Sequence, residues 1–190
     1  MIFDLRGGHL GDVMLAMPAM RVGDGVIVAE QHRIPGLDVT WLDAGKGVQS
    51  RHAPGLHMTK AWTLAVGREP IKHRLLPRER KLLLVIAPDV DAKERQWDKW
   101  GALRNALPGA VWITGRVSRR MWMWVLNAAH TVICPDTGTA HMADALGARV
   151  IGLYGRTFQQ YAPTWDSSHC IARDRVTDIC VEDVLERLHV

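Results

Sequence analysis

The stretch that decides the fold is TVICPDTGTAH, residues 131–141. Its first half is a continuous apolar run, which predicts a strand covered on both faces of a parallel sheet. Its second half becomes polar at Asp136 and leads into a predicted helix that continues to Leu146, with Gly147 as its stop. Because open α/β sheets bind ligands at the carboxyl ends of their strands, this turn is a candidate binding site.

The same alternation of strand and helix continues in both directions along the chain. Further strands are predicted at residues 2–5, 26–29, 39–42, 82–86, 111–113 and 149–154. One helix is predicted to follow its cap Ser118, with an inner face of Met121, Trp122, Val125, Leu126 and Ala129. Another is expected to carry Trp97, Trp100, Leu103 and Leu107 on one face. This order of elements indicates an α/β protein with mainly parallel sheets.

Length and composition exclude several classes of protein. The chain has 190 residues, of which 47% are hydrophobic and 23% charged. These values exclude a disordered or collagenous chain, and no apolar run reaches the roughly 20 residues that span a bilayer. The three cysteines have no C-x-x-C spacing, so they indicate neither a disulfide framework nor a zinc site. Reduced thiols in the cytoplasm are the simplest interpretation.

The composition changes at residues 71–81, which contain five lysines and arginines and one proline. We interpret this segment as a basic linker between a reduced N-terminal domain, residues 1–70, and a C-terminal domain, residues 82–190. The net charge of +4 is mild for a chain of this length. The linker is therefore either a solvated connector or a patch that faces phosphate groups.

The turn after residue 135 has a pattern that favours anions. Asp136, Thr137, Gly138 and Thr139 stand at the predicted start of a helix, where free N–H groups and a partial positive charge attract phosphate. His141 lies one turn further along and can add a donor. A plain N-cap at Asp136 or Thr137, followed by a histidine that faces the core, fits the same residues.

A second turn, RGGHLGD, occupies residues 6–12 between a predicted strand and a predicted helix. Its glycines, with Gly8 and Gly11 on either side of His9, allow a ligand to approach the backbone closely. Asp12 would stand at the mouth of the same kind of crevice, where a carboxylate can deprotonate an acceptor hydroxyl. An aspartate at this place can equally be a helix cap.

A third turn follows the strand predicted at residues 82–86. It places Lys93 and Arg95 near the start of a helix. Two cations there can neutralise a diphosphate, and a solvated loop is the alternative interpretation.

Together the three turns resemble glycosyltransferase family 9, the heptosyltransferase-like enzymes. The segment Gly11-Asp12-Val13 with Pro18 looks like the N-terminal signature of that family. Lys93 followed by Trp97 resembles its donor-side loop. The three signatures stand in the order found in the family and reach both ends of the chain.

The longest part of the resemblance runs from Asp136 to Gly155, with Pro163 beyond it. This segment is similar to the family pattern D-[ST]-G-x-x-H-x-x-x-A-L-G-x-P-v-x-x-l-[FY]-G. The sequence departs from the pattern at Arg149, where the family usually has proline. The chain also resembles a much shortened member, and its second half lacks one β-α unit before Ser118.

The resemblance implies a GT-B fold, in which two small Rossmann-like domains face a cleft. It implies an inverting transfer of a sugar from a nucleotide-diphosphate donor to an acceptor hydroxyl, without a metal ion or a further cofactor. Asp12 would be the base, and Asp136 would orient its loop. The donor diphosphate would be held by Lys93, Thr137, Gly138 and His141.

The acceptor is left open by the resemblance. A glycan or a lipid-linked saccharide is expected, and the basic linker also allows a modified nucleic-acid base. The expected location is the cytoplasm or the inner surface of the membrane. Two other functions remain alternatives, namely a nucleotide-sugar binding module that has lost catalysis and a structural protein that retains only the fold.

Overall fold

Two parallel β-sheets form the framework of the chain in a computed structural model, which describes residues 1–5, 10–21, 24–27, 39–42, 56–71, 82–115 and 117–189. The first sheet has the order β1-β2-β3 and consists of β1 (Ile2–Asp4), β2 (Gly25–Ile27) and β3 (Thr40–Leu42). The second has the order β5-β4-β6-β7-β8. Its strands are β4 (Leu82–Ile86), β5 (Val111–Trp112), β6 (Ala129–Pro135), β7 (Arg149–Tyr154) and β8 (Ile171–Ala172).

Helices connect these strands as the sequence predicts, and the α/β fold class is confirmed. They are α1 (Leu10–Ala16), α2 (Met58–Val66), α3 (Trp100–Ala106), α4 (Arg119–Ala128), α5 (Gly138–Ala145), α6 (Phe158–Tyr161) and α7 (Val181–Leu188). Ser118 caps α4 by accepting a hydrogen bond from the backbone N–H of Met121 at 3.3 Å. Gly67 ends α2 in a left-handed conformation with φ of 64°, which a residue without a side chain adopts at little cost.

Two apolar cores cover the two faces of the second sheet. In β6, Val132 belongs to one core and Ile133 to the other, because successive side chains of a strand point to opposite faces. The first core continues from the second sheet into α5, α1 and β1, where it includes Phe3. The second core lies between this sheet, α3 and α7. The linker predicted at residues 71–81 lies outside the described residues except for Ile71, so the division into domains stays a prediction.

Two predicted helix faces differ from the structure. Of the inner-face residues predicted for α4, Trp122, Val125, Leu126 and Ala129 contact the first core, but Met121 is exposed and Met123 is buried instead. Six apolar residues in succession, Met-Trp-Met-Trp-Val-Leu at 121–126, make the helical phase ambiguous from sequence alone. Trp97 precedes α3 instead of lying on it, although it is buried as expected and donates a hydrogen bond to the Ile179 carbonyl at 2.9 Å.

A buried carboxylate, Asp24, ties the first sheet to the end of α2. It pairs with Arg68, and it accepts hydrogen bonds from the backbone N–H of Arg21 at 2.8 Å and from the amino group of Met1 at 3.0 Å. Burial by itself would raise the pKa of Asp24, but these donors outweigh it and hold the pKa below its usual value. The cluster therefore stabilises the ionised form.

We expect Asp24→Ala to lower the free energy of unfolding by about 2 kcal/mol, because it leaves the Arg68 guanidinium half-buried without its carboxylate. Urea denaturation followed by circular dichroism measures this change. The exposed residue Asp98 is the control, since Asp98→Asn should shift stability by less than about 0.5 kcal/mol. Equal midpoints for Asp24→Ala and the unsubstituted chain would contradict the role of the cluster.

Candidate active site

The candidate site lies where the order of the second sheet reverses. From β4 the chain passes through α3 to β5 on one side, and β6 then pairs with β4 on the other side. The loops after β4 and β6 leave in opposite directions, which opens a crevice between them at the carboxyl ends of the strands. The turn with Lys93 and Arg95 and the turn with Asp136 therefore border one crevice.

Contacts to Asp136 join three loops at this crevice. Arg95 donates from Nη1 to the Asp136 backbone carbonyl at 3.2 Å, and its Nε lies 3.6 Å from the Asp136 carboxylate. Thr157, in the loop after β7, donates its hydroxyl to the same carboxylate at 2.6 Å. Asp136 is only 2% exposed. The three loops are thus fixed by one buried carboxylate.

The environment of Asp136 has opposing effects on its charge. Burial raises the pKa of the Asp136 carboxyl above its usual 3.8, whereas the hydrogen bond from Thr157 and the positive charge of Arg95 act to lower it. The net effect is a raised pKa. Because its two partners compensate only part of the cost of burial, the carboxylate depends on both of them.

The start of α5 is capped by Thr137 and not by Asp136. The Thr137 hydroxyl accepts a hydrogen bond from the backbone N–H of Thr139 at 3.3 Å. Asp136, one residue earlier, points instead to Arg95 and Thr157. The cap and the loop contact are therefore separate functions of neighbouring residues, and both fit a helix start held in place at the edge of the crevice.

His141 is buried within α5 and is 6% exposed. Its Nδ1 atom has no hydrogen-bond partner in the part of the chain that the structure describes. Burial lowers the pKa of His141 to about 3, and the nearby charges of His57 and Arg95 add to this effect. The ring is therefore neutral at physiological pH, and its Nδ1 is left without a partner among the described residues.

The influence of His57 on the pKa of His141 places a second histidine near α5. His57 accepts a hydrogen bond at Nδ1 from the backbone N–H of Thr59 at 3.3 Å. Its Nε2 lies 2.9 Å from the carbonyl oxygen of Ala162, which can only accept, so Nε2 carries a proton that points to this oxygen. The start of α2 is thereby joined to the loop that follows α6.

A cavity of about 280 Å³ opens beside Thr139. Its lining includes Asp89 after β4, Gly115 after β5, and Arg119 and Trp122 on α4. Gly115 donates its backbone N–H to the Asp89 carboxylate at 2.6 Å, and both residues also line a wider groove of about 780 Å³. The cavity therefore extends from the start of α5 across the ends of β4 and β5.

The predicted site residues are described to different extents. Lys93 and Arg95 lie on a 3-10 turn, Lys93–Arg95, where Lys93 is exposed and Arg95 half-buried. Gly11 and Asp12 lie in α1, which packs against α5, but the Asp12 side chain is outside what the structure describes. Gly8 and His9 lie outside the described residues.

Thr157 and His57 were not predicted from the sequence. Thr157 follows the end of a predicted strand, as Asp136 does, so a search for polar residues after every parallel strand would have found it. No local pattern distinguishes His57, whose contacts to Thr59 and Ala162 depend on tertiary structure.

Searches for metal-binding and membrane-spanning features were negative within the described ranges. No cluster of three or more His, Cys, Asp or Glu residues there is arranged to hold a metal ion. Among the helices that the structure describes, none has the length and hydrophobicity that crossing a bilayer requires. Neither finding extends to the remaining residues.

Known structures similar to this one share the GT-B fold. The E. coli heptosyltransferase WaaC with ADP matches with a TM-score of 0.72 at 13% identity, over 100% of this chain and 99% of that chain. A glycosyltransferase of family 9 from Veillonella parvula DSM 2008 matches with a TM-score of 0.71 at 11% identity, over 99% and 95%. The iron-containing dodecameric glycosyltransferase TibC from enterotoxigenic E. coli H10407 matches with a TM-score of 0.67 at 13% identity, over 90% and 61%.

The family itself is shown by the sequence. The model of glycosyltransferase family 9 (heptosyltransferase) matches residues 83–185, more than half of the chain. The chain therefore belongs to glycosyltransferase family 9. A search of curated proteins gave no match. The predicted family, its GT-B fold class and the prediction of a glycosyltransferase are confirmed, whereas the roles of individual residues stay predictions.

Proposed function

We propose that this glycosyltransferase moves a sugar from a nucleotide-diphosphate donor to an acceptor hydroxyl with inversion at the anomeric carbon. The observation that carries the proposal is the meeting of Arg95, Asp136 and Thr157 at the crevice of the second sheet. It holds the start of α5 and the Lys93 turn on the two sides of one crevice. A donor diphosphate needs this arrangement of cations and helix-end amides.

In the proposed site the diphosphate lies at the start of α5. The backbone N–H group of Gly138 and the hydroxyls of Thr137 and Thr139 face the phosphates, and Lys93 neutralises them from the opposite loop. The Nδ1 of His141, which has no partner among the described residues, supports a ligand here, because a buried polar atom without a partner is costly in the absence of a bound group. Arg95 acts through Asp136 and also contributes its positive charge.

The proposed reaction requires one proton transfer. The Asp12 carboxylate accepts the proton of the acceptor hydroxyl, and the resulting oxygen attacks the anomeric carbon. The bond from this carbon to the diphosphate breaks, and the nucleoside diphosphate leaves with the bonding electrons. The cations and amides of the crevice stabilise the negative charge that develops on the leaving group, so we propose that no metal ion or additional cofactor is required.

The relatives indicate which donor to test first. WaaC has been solved with ADP and with ADP-2-deoxy-2-fluoro heptose, so an ADP-sugar is the first candidate donor. We propose a glycan or a lipid-linked saccharide as the acceptor, at the inner surface of the membrane. A modified nucleic-acid base is a second acceptor to include in the screen.

A calorimetric screen of ADP-, UDP-, GDP- and dTDP-sugars tests the donor site. We expect one nucleotide class to bind, and Lys93→Ala to weaken that binding by about tenfold, because one charge-assisted contact to phosphate is lost. Lys99→Ala is the matched control, since Lys99 lies six residues away and contacts Asp98 and the carbonyl of Thr177.

Three results would count against parts of this proposal. If no nucleotide sugar binds, the donor site is wrong and a structural protein is favoured. If a donor binds but no acceptor is ever glycosylated, a binding module is favoured. If Lys93→Ala binds the donor as tightly as Lys99→Ala, Lys93 does not contact the diphosphate.

A further inference from the structure

Three tryptophans form an aromatic wall in the wider groove of about 780 Å³. Trp97 and Trp100 pack edge to face with their ring centroids 4.8 Å apart, and Trp100 packs in the same way on Trp112 at 6.4 Å. Trp97 is buried, and its hydrogen bond to the Ile179 carbonyl anchors the series. Because Trp100 and Trp112 line the groove and are only half-buried, part of each ring is open to it.

Polar side chains share the groove with this wall. Asp89, Asp91 and Gln96 come from the segment after β4, Thr114 follows β5, and Arg104 comes from α3. All five are exposed. The groove thus combines an aromatic wall with carboxylate, amide and hydroxyl groups that a ligand can reach, and its volume lies in the range typical of sites for small molecules.

The charges along the groove disfavour an anionic ligand. Asp89 and Asp91 contribute two carboxylates, and Arg104 is the one cation among the described residues that line the groove. The Arg104 guanidinium lies over the Trp112 ring, 4.8 Å from its centroid, so its charge is already directed at an aromatic face. A phosphate would therefore meet net negative charge, which distinguishes this groove from the proposed diphosphate site at the start of α5.

The arrangement of the three rings favours a ligand with hydroxyl groups over a flat base. Both tryptophan pairs are nearly perpendicular, with interplanar angles of 87°, so this wall has no two parallel faces between which a base could insert. A sugar ring needs only one aromatic surface, because its C–H groups are attracted to the negative face of the π-system. Its hydroxyls can then donate to ionised carboxylates, which only accept.

We propose that this groove is a second saccharide-binding site, which takes a neutral sugar unit. The sugar ring would pack on the open surface of Trp100 and Trp112. Its hydroxyls would donate to the Asp91 carboxylate and exchange hydrogen bonds with the Gln96 amide.

The proposed saccharide site adjoins the candidate active site. Asp89 and Gly115 line both the groove and the cavity beside Thr139. A saccharide in the groove would therefore lie next to the proposed donor site without occupying it. The inference goes beyond the proposed function and does not depend on it, since saccharide binding can be measured without any sugar donor.

Calorimetry of the full chain with neutral oligosaccharides of glucose, galactose, mannose and N-acetylglucosamine tests the proposal. At least one of them should bind in the absence of nucleotide, and its phosphorylated form should bind more weakly because of the two carboxylates. Trp100→Ala should weaken the binding by at least about tenfold, because it removes an aromatic surface. The control is Trp124→Ala on α4, which removes a tryptophan that is 52% exposed outside the groove and should leave binding unchanged.

Asp91→Asn tests the same site without altering a packed ring. It should weaken saccharide binding by about five- to tenfold, because a charge-assisted hydrogen bond becomes a neutral one. Asp98→Asn is its matched control, since Asp98 is also exposed but does not line the groove. Thermal unfolding checks that Trp100→Ala is folded.

The proposal is overturned if no oligosaccharide of the panel binds at millimolar concentration. It is also overturned if Trp124→Ala weakens binding as much as Trp100→Ala, or if Trp100→Ala and Asp91→Asn both bind like the unsubstituted chain. A nucleoside that displaces the saccharide, and that itself binds more weakly to Trp100→Ala, would instead assign the groove to a base. The titration with nucleotide sugars is separate, so failure of the saccharide site leaves the proposed transfer reaction untouched.

Discussion

Asp12→Asn should lower the rate of sugar transfer by about 10²- to 10⁴-fold, the range that removal of a general base typically produces. Asparagine has nearly the same shape as aspartate but cannot accept the proton of the acceptor hydroxyl. Donor binding should be unchanged, because the donor contacts proposed here come from the second sheet and α5. Steady-state kinetics with the donor found by calorimetry, together with calorimetry of the variant, measure both effects.

The reason to expect Asp12 near the donor is the position of its helix. Asp12 lies in α1, and α1 packs against α5, which carries His141 and begins at the proposed diphosphate site. The two proposed functions, proton removal and donor binding, are thus assigned to neighbouring helices. The stereochemistry of the product, read by NMR from its anomeric proton, tests the proposed inversion in the same reaction.

Asp98→Asn is the control for this experiment, because Asp98 is exposed and pairs with Lys99. Its transfer rate should stay within about twofold of the unsubstituted chain. Transfer by Asp12→Asn at the rate of the control would mean that another group accepts the proton. Loss of donor binding in Asp12→Asn would mean that the aspartate supports the site and not the chemistry.

The second large effect concerns acid stability and His141. Burial lowers the pKa of His141 from 6.5 to about 3, so the unfolded chain takes up this proton more readily than the folded chain. The contribution of His141 to stability is therefore complete above pH 6.5 and is lost as the pH falls from 6.5 towards 3. The upper limit of this loss is about 4 to 5 kcal/mol.

Replacing His141 by glutamine, which does not titrate, should make stability less dependent on pH in this window. Urea denaturation at a series of pH values between 3 and 7 measures the difference between the two proteins. Asp136 makes stability change with pH in the opposite direction, because its pKa is raised in the folded state. Both proteins contain Asp136, so its effect cancels when their pH dependences are compared.

The surface histidine His130 provides the control, and His130→Gln should keep the pH dependence of the unsubstituted chain. If His141→Gln also keeps it, His141 is accessible to protons in the folded chain.

The sequence predicted the strands accurately where a run of apolar residues was the only pattern present. The strands predicted at Leu82–Ile86 and Arg149–Tyr154, which are free of charged residues apart from Arg149, match β4 and β7 residue for residue, because strands covered on both faces carry no competing pattern. The two-residue strand β8 (Ile171–Ala172) was not predicted, because it is too short to show any periodicity. In α4, six successive apolar residues allow two helical phases, and only packing decides between them.

The sequence predicted the parts of the candidate site that lie in the loops after the predicted strands. Arg95 and Asp136 were both expected at the donor site, and the structure places them in contact. The sequence could not show that the contact is between the two residues themselves. It also could not show Thr157 as their third partner, because a hydrogen bond over 21 positions depends on the order of the strands.

One buried carboxylate with partners in two other loops also limits how this site can change during evolution. A substitution at Arg95 alters the electrostatic environment of the Asp136 carboxylate. It therefore also changes the hydrogen bond that this carboxylate accepts from Thr157. The three positions are therefore expected to vary together among homologous chains, since a partner lost in one loop has to be compensated in another. We therefore expect Arg95, Asp136 and Thr157 to be conserved or replaced together.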